Sequence, residues 1–159
     1  ISVTLLSASK TFNMPGLGCA YAVVRNTTLR NKLKKVMNGI VHHVGALGYT
    51  ATLAAYKDGK SWHTALVNYL RQNRDHVEAN LSAHDRLTAY HSEATYLTWI
   101  DARKMNVDNP STYFEKFGIG LYDGAPFGAP GFLRLNFACP QSVLSEALKR
   151  INKGLEVLT

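Results

Sequence analysis

The chain is 159 residues long, 46% apolar and 18% charged, with a formal net charge of +7. That balance supports a buried core and excludes long disordered tails. No apolar run approaches the roughly 18 residues of a membrane span, the first residues lack the charged and then apolar order of a secretory signal, and Cys19 and Cys139 form no CxxC pair that would suggest a zinc site or a disulfide framework.

In chain order, Val3 to Leu6 predicts a short buried strand, and Ser7 to Gly18 a loop with turn residues at Asn13, Pro15 and Gly16. Cys19 to Val24 predicts a second strand. Asn26 or Thr27 can cap a helix from Leu29 to Asn38, which carries Leu29, Leu33, Val36 and Met37 on one face. Gly39, Gly45 and Gly48 loosen the chain before a short helix from Thr50 to Lys57, and Asp58-Gly59 breaks it. A long helix follows from Ser61 to Ala83, because Trp62, Leu66, Tyr69 or Leu70, Asn73, Val77 and Leu81 recur at helical steps. Such a length suits a strut between two lobes. Leu87 to His91, Thr95 to Ile100, Ile119 to Tyr122 and Phe132 to Phe137 read as strands. Asn109-Pro110-Ser111 opens a short helix to Phe117, and Asp123 to Gly131 is a Gly/Pro-rich loop. Pro140 opens the last helix, with Leu144, Leu148, Ile151, Leu155 and Leu158 in step. The first lobe offers a strand pair and then only helices, and an isolated strand pair is marginal in water. The sequence is therefore expected to be the C-terminal part of a longer protein whose second lobe holds its own core.

The densest basic cluster, Arg30, Lys32, Lys34 and Lys35, lies on the first helix without the aromatic pattern of an RNA-binding sheet or zinc-finger spacing. It reads as a solvated helix face, so no nucleic-acid partner is expected. The histidines, among them the adjacent His42 and His43, share no metal-ligand spacing, and no metal is expected. Trp62, Tyr69 and Tyr90 are expected to fill cores, and Tyr96 and Trp99 to pack within a strand.

Chemistry concentrates in two stretches. In Ser7-Ala8-Ser9-Lys10-Thr11-Phe12-Asn13 a lysine follows a strand on a loop, with small hydroxyl residues before it. A neutral lysine amine condenses with an aldehyde, and burial or a cationic neighbour favours that neutral form. The spacing Ser-x-x-Lys also marks serine β-lactamases and penicillin-binding proteins. There it opens a helix, which Pro15 and Gly16 prevent here, and the companion Ser-Asp-Asn and Lys-Thr-Gly motifs are missing. The second stretch places Arg134 between Leu133 and Leu135, facing opposite to them on a strand. A guanidinium in such a setting can clamp a carboxylate with parallel hydrogen bonds, and Asn136 is a candidate to orient it.

These stretches, taken with others, resemble the MalY/PatB-type cystathionine β-lyases, pyridoxal-phosphate (PLP) enzymes of the aminotransferase class I/II superfamily. Ser7 to Asn13 with Pro15-Gly16-Leu17 is similar to their Ser-x-Ser-Lys-x-Phe-Asn-x-x-Gly-Leu segment. Glu93 to Asp101 resembles their Thr-Tyr-Leu-x-Trp-x-Asp strand, and Asp123 to Gly128 their Gly-x-x-Phe-Gly loop. Gly131 to Pro140 is similar to their Gly-Phe-x-Arg-Leu-Asn-x-x-Cys-Pro segment, the most specific of the set.

The resemblance implies a mixed α/β (α+β) chain. Residues 1–57 would be the end of the PLP-binding large domain, and 58–159 a long connecting helix with a small C-terminal α/β-sandwich-type domain. It implies that Lys10 forms the imine with PLP and takes the Cα proton, that Ser7 or Ser9 holds the phosphate, and that Arg134 binds the substrate carboxylate. The implied reaction is α,β-elimination from cystathionine or a related cysteine S-conjugate to thiol, pyruvate and ammonia. The implied setting is a cytoplasmic homodimer with a small amino-acid substrate and no membrane partner. The alternatives are an aminotransferase of amino acids and, in another class, a protein–protein regulatory module. Gly18 stands where many aminotransferases carry a phosphate-binding arginine, Ser92 where a proline is common, and the stretch from Pro110 to Gly118 is shorter than usual. The family's ring-stacking tyrosine, its aspartate on the pyridine nitrogen and its Gly-rich phosphate turn have no counterpart in these residues. The 159 residues alone are therefore expected to be inactive.

Overall fold

The computed structural model describes residues 1–158. Thr159, the last residue of the predicted second lobe, lies outside the described residues. The chain forms two compact units, Ile1–Leu66 and a second from Val67 onward.

In the first unit, β1 (Thr4–Ser7) and β2 (Ala20–Val23) pair antiparallel, Leu5 opposite Ala22 and Ser7 opposite Ala20. The sequence predicts a buried strand over Val3 to Leu6. The strand forms, one residue later, with Leu5 and Leu6 exposed. Among the described residues no further strand pairs with either edge of this sheet. Helix α1 (Thr27–Met37) is capped by Asn26, whose side chain accepts from the Leu29 amide at 2.8 Å. Arg30 turns back to donate to the Val24 carbonyl at 3.0 Å, while Lys34 and Lys35 are exposed. Helix α2 (Ala46–Asp58) starts four residues before the expected Thr50. It runs through Gly48, which is buried so close to the Leu17 carbonyl that a β-carbon would meet that oxygen at 2.5 Å. What reads as a loosening residue is a packing residue.

Helix α3 (Lys60–Leu81) follows at once. Its C-terminal half buries Asn73, Val77 and Leu81 and belongs to the second unit. That unit is built on a four-stranded antiparallel sheet in the order β3 (Thr88–Ala89), β4 (Leu97–Asp101), β6 (Phe132–Asn136), β5 (Tyr122–Asp123). The predicted strands are shorter than drawn. Thr95 has φ 71°, so it cannot extend β4, and its hydroxyl accepts from the Leu97 amide at 3.2 Å to make a turn instead. Ile119 and Leu121 are buried yet lie outside β5, because their apolar pattern reports burial rather than pairing.

Alternation along the central pair divides the sheet. Thr98, Ile100, Leu133 and Leu135 point to the core. There they join Val77 and Leu81 of α3, Phe114 of α4 (Pro110–Glu115), and Leu144, Leu148, Ile151 and Leu155 of α5 (Gln141–Glu156). The predicted stripe of the last helix is thus the face it buries. Trp99, Phe132 and Arg134 take the opposite face of the sheet. Trp62, Tyr69 and Tyr90, expected in cores, are each more than a third exposed. Trp62 stacks on Phe12 and the Tyr69 hydroxyl accepts from the Gln141 amide at 2.7 Å, so both rings serve local junctions.

Candidate active site

Lys10 stands in the middle of one helical turn. The Phe12 amide donates to the Ala8 carbonyl at 2.9 Å and the Met14 amide to the Ser9 carbonyl at 2.8 Å. Ala8 is buried beneath the turn and Lys10 is exposed on it. The Phe12 ring anchors the turn, stacked on Trp62 with centroids 6.0 Å apart and edge-on to Tyr56 at 5.9 Å. The contact is close: a β-carbon on Gly59 would reach Phe12 Cε1 at 2.7 Å.

The serines are tied together before the lysine. Ser7 Oγ donates to the Cys19 carbonyl at 2.7 Å, across the β1–β2 pair. A hydroxyl has one proton and a carbonyl none. The 2.6 Å bond between the two serine oxygens is therefore donated by Ser9. The Ser9 amide also donates to Ser7 Oγ at 3.1 Å. Ser7 thus closes the strand end, and Ser9 is the hydroxyl that can turn outward by rotation about χ1.

Arg134 lies on β6, with Trp99 of β4 and Tyr122 of β5 as its cross-strand partners. Its guanidinium carbon sits 4.4 Å from the Tyr122 ring centroid and 4.9 Å from that of Phe127. Its Nε is buried and has no hydrogen-bond partner among the described residues. A cation covered by rings is left with its edge for hydrogen bonding, the direction from which a carboxylate binds in two parallel bonds. Asn136, the expected orienting residue, is exposed and its Oδ1 accepts from the Ala138 amide at 2.9 Å. Its position at the end of the strand turns it to the backbone.

Three of the four candidate residues, Ser7, Ser9 and Lys10, share one turn of the first unit, and Arg134 belongs to the second. Sequence reasoning missed the two rings beside Arg134. The signal for Phe127 was its place in the Gly124 to Gly128 loop, whose chain reversal needs Gly128 at φ 80°. For Tyr122 the only signal was strand parity, and the expected strand ended there. Beyond the strand, burial pushes the Cys139 thiol above its ordinary value, so it stays protonated.

The model of the class I and II aminotransferase family matches residues 2–151. The chain is 31% identical to cystathionine beta-lyase PatB of Bacillus subtilis (strain 168), over 98% of this chain and 42% of that protein. It superposes on the crystal structure of OvoB with a TM-score of 0.94 at 40% identity, covering 96% of this chain and 40% of that one. It superposes on cystalysin from Treponema denticola, a structure that contains pyridoxal 5'-phosphate, with a TM-score of 0.91 at 31% identity, over 99% and 42% of the two chains. The chain spans about two fifths of the length of the curated relatives it matches. With nearly all of its residues matched by one family model, the chain belongs to the class I and II aminotransferases.

Proposed function

We propose that this chain is the C-terminal part of a PLP-dependent carbon–sulfur lyase. The whole protein would convert cystathionine or a related cysteine S-conjugate, with water, to thiol, pyruvate and ammonia. The observation that carries the reading is Arg134, a ring-covered cation whose Nε is buried and has no hydrogen-bond partner among the described residues, suited to the α-carboxylate of an amino acid. The names of PatB and of other relatives support the lyase branch, and the cofactor in cystalysin supports PLP dependence.

The donor set suits the cofactor. Lys10 is exposed on a braced turn beside a rotatable hydroxyl, as an aldehyde and a phosphate on one small molecule require. PLP, when bound, supplies the electron sink that acidifies the substrate Cα–H. Lys10 would hold the cofactor through its amine and would accept the Cα proton at Nζ. Ser9 would donate to the phosphate, while Ser7 keeps the turn closed on Cys19. Arg134 fixes the carboxylate so that the Cα–H and the Cβ–S bond keep one orientation.

The whole protein is read as a cytoplasmic homodimer acting on a small amino acid. The 159 residues alone are read as inactive, since they span only about two fifths of the curated relatives they match. Borohydride treatment of the PLP-loaded whole protein should tag Lys10. Pyruvate should appear from cystathionine without any added 2-oxo acid. A label on another lysine overturns the assignment of Lys10, and turnover only with a 2-oxo acid moves the protein to the aminotransferases.

A further inference from the structure

Resting on the reading of Arg134 as the carboxylate clamp, we propose that Tyr122 and Phe127 are its positioning residues: two rings that hold the guanidinium plane and thereby set the preference for amines that carry a carboxylate. Both rings touch Arg134, at 4.4 and 4.9 Å, yet Tyr122 is 62% and Phe127 56% exposed. Neither belongs to the hydrophobic core of the unit. A ring face attracts the cation placed on it through its quadrupole and so restricts the plane that the guanidinium adopts.

The placement is built in. Tyr122 is the direct cross-strand neighbour of Arg134 in the β5–β6 register. Phe127 ends a tight turn whose bonds include the Gly124 amide to the Phe132 carbonyl at 2.8 Å, the Ala125 amide to Asp123 Oδ1 at 3.0 Å, and the Phe127 amide to the Gly124 carbonyl at 2.9 Å. Only glycine fits at 124, where a β-carbon would lie 2.5 Å from the Ala129 carbonyl oxygen and 2.8 Å from that of Phe132. A ladder of rings backs Phe127. Trp99 meets it edge-on at 6.0 Å, Phe132 stacks on Trp99 at 5.7 Å, and Arg103 caps Phe132 at 4.9 Å while paired to Asp101 at 2.7 Å. An arginine carries several rotatable bonds, and each ordered rotor lost before binding need not be lost on binding. Fixing the plane in advance therefore strengthens the grip on a carboxylate and does nothing for an amine without one.

The test compares L-alanine with ethylamine, which presents the same amine without the carboxylate. Binding of each to the PLP-loaded whole protein is read from the cofactor absorbance, with no turnover required. Tyr122→Ala and Phe127→Ala should each weaken L-alanine binding by about two- to fivefold and leave ethylamine binding unchanged. Tyr122→Phe, which keeps the ring face, should restore the selectivity that Tyr122→Ala loses. Arg134→Ala should abolish the selectivity. If Arg134→Ala abolishes it and the ring variants do not reduce it, the positioning role is wrong and the clamp stands. Equal weakening of both amines in the ring variants also overturns the positioning role. If Arg134→Ala leaves the selectivity intact, the clamp and the proposal fall together.

Discussion

Asn73 looks misplaced on the apolar stripe of α3, and its contacts explain it. Its side-chain nitrogen donates to the Phe137 and Cys139 carbonyls, both at 2.9 Å, and so ties down the backbone that leaves β6 just after Arg134. Asn73→Ala should cost about 1–3 kcal/mol in urea unfolding, because the Cys139 carbonyl loses this donor while the Phe137 carbonyl keeps the bond from the Cys139 amide at 2.9 Å. Asn73→Asp should cost more, since carboxylate oxygens would then face carbonyl oxygens. A second residue-scale effect is electrostatic. The Arg103 guanidinium, hydrogen-bonded to Asp101, holds that carboxyl below its ordinary value against the opposing effect of burial. A carboxyl lowered in the folded state stabilises above its unfolded pKa of about 3.9, and that stability fades as pH falls through the folded value. The stability gap between the parent chain and Asp101→Asn should therefore be full at pH 6, begin to narrow as pH falls below about 3.9 and close only below the folded value. A gap that persists unchanged at pH 2 would refute the pairing. Periodicity placed Asn73 inward correctly, but its partners lie more than sixty positions away and leave no mark in local sequence.

At the scale of elements, regular patterns were legible and irregular ones were not. The stripe of α5 and the part of the α3 stripe that is buried, Asn73, Val77 and Leu81, were readable because burial on one face repeats every three or four residues, whereas Trp62 and Tyr69 of the α3 stripe are exposed. The Asn26 cap was readable because its chemistry is local. The start of α2 was missed, because glycines at 45 and 48 lower helix propensity while tertiary contact overrides it. Gly48 turns that miss into a measurement. In an exposed helix, Gly→Ala stabilises by roughly 1 kcal/mol. Here the new methyl would meet the Leu17 carbonyl oxygen at 2.5 Å and Val44 Cγ1 at 3.1 Å, and backbone cannot swing aside as a side chain can. Gly48→Ala should destabilise the first unit, and Gly45→Ala, with nothing near its β-carbon, should not share that clash. Circular dichroism in a thermal scan reads the difference, and a stabilising Gly48→Ala would mean that Leu17 yields.

For the molecule as a whole, the candidate site was legible residue by residue, whereas the surroundings of those residues were not. Lys10 and Arg134 stood out by motif, but the rings on Arg134 arrive through β5 register and a glycine turn that no single residue announces. The division of stability was legible in outline, since the first lobe offered a strand pair and helices only. The structure makes that imbalance quantitative. Nearly all buried large apolar side chains fall in the second unit, and the first buries only Ala8 and Val24 among its described apolar residues outside glycine. Leu5, Val23, Val36, Ile40, Leu47 and Leu53 of the first unit are all exposed. Local opening energies follow buried apolar contact, so the two units of this 159-residue chain should not unfold together. In native-state hydrogen exchange the amides of α1 and α2 should exchange at least a hundredfold faster than those of Leu133, Leu135 and Ile151. In the whole protein, which the proposed function requires, the first unit should gain protection while the core of the second changes little. Equal protection of both units in the 159-residue chain would show that contacts other than apolar burial hold the first unit closed.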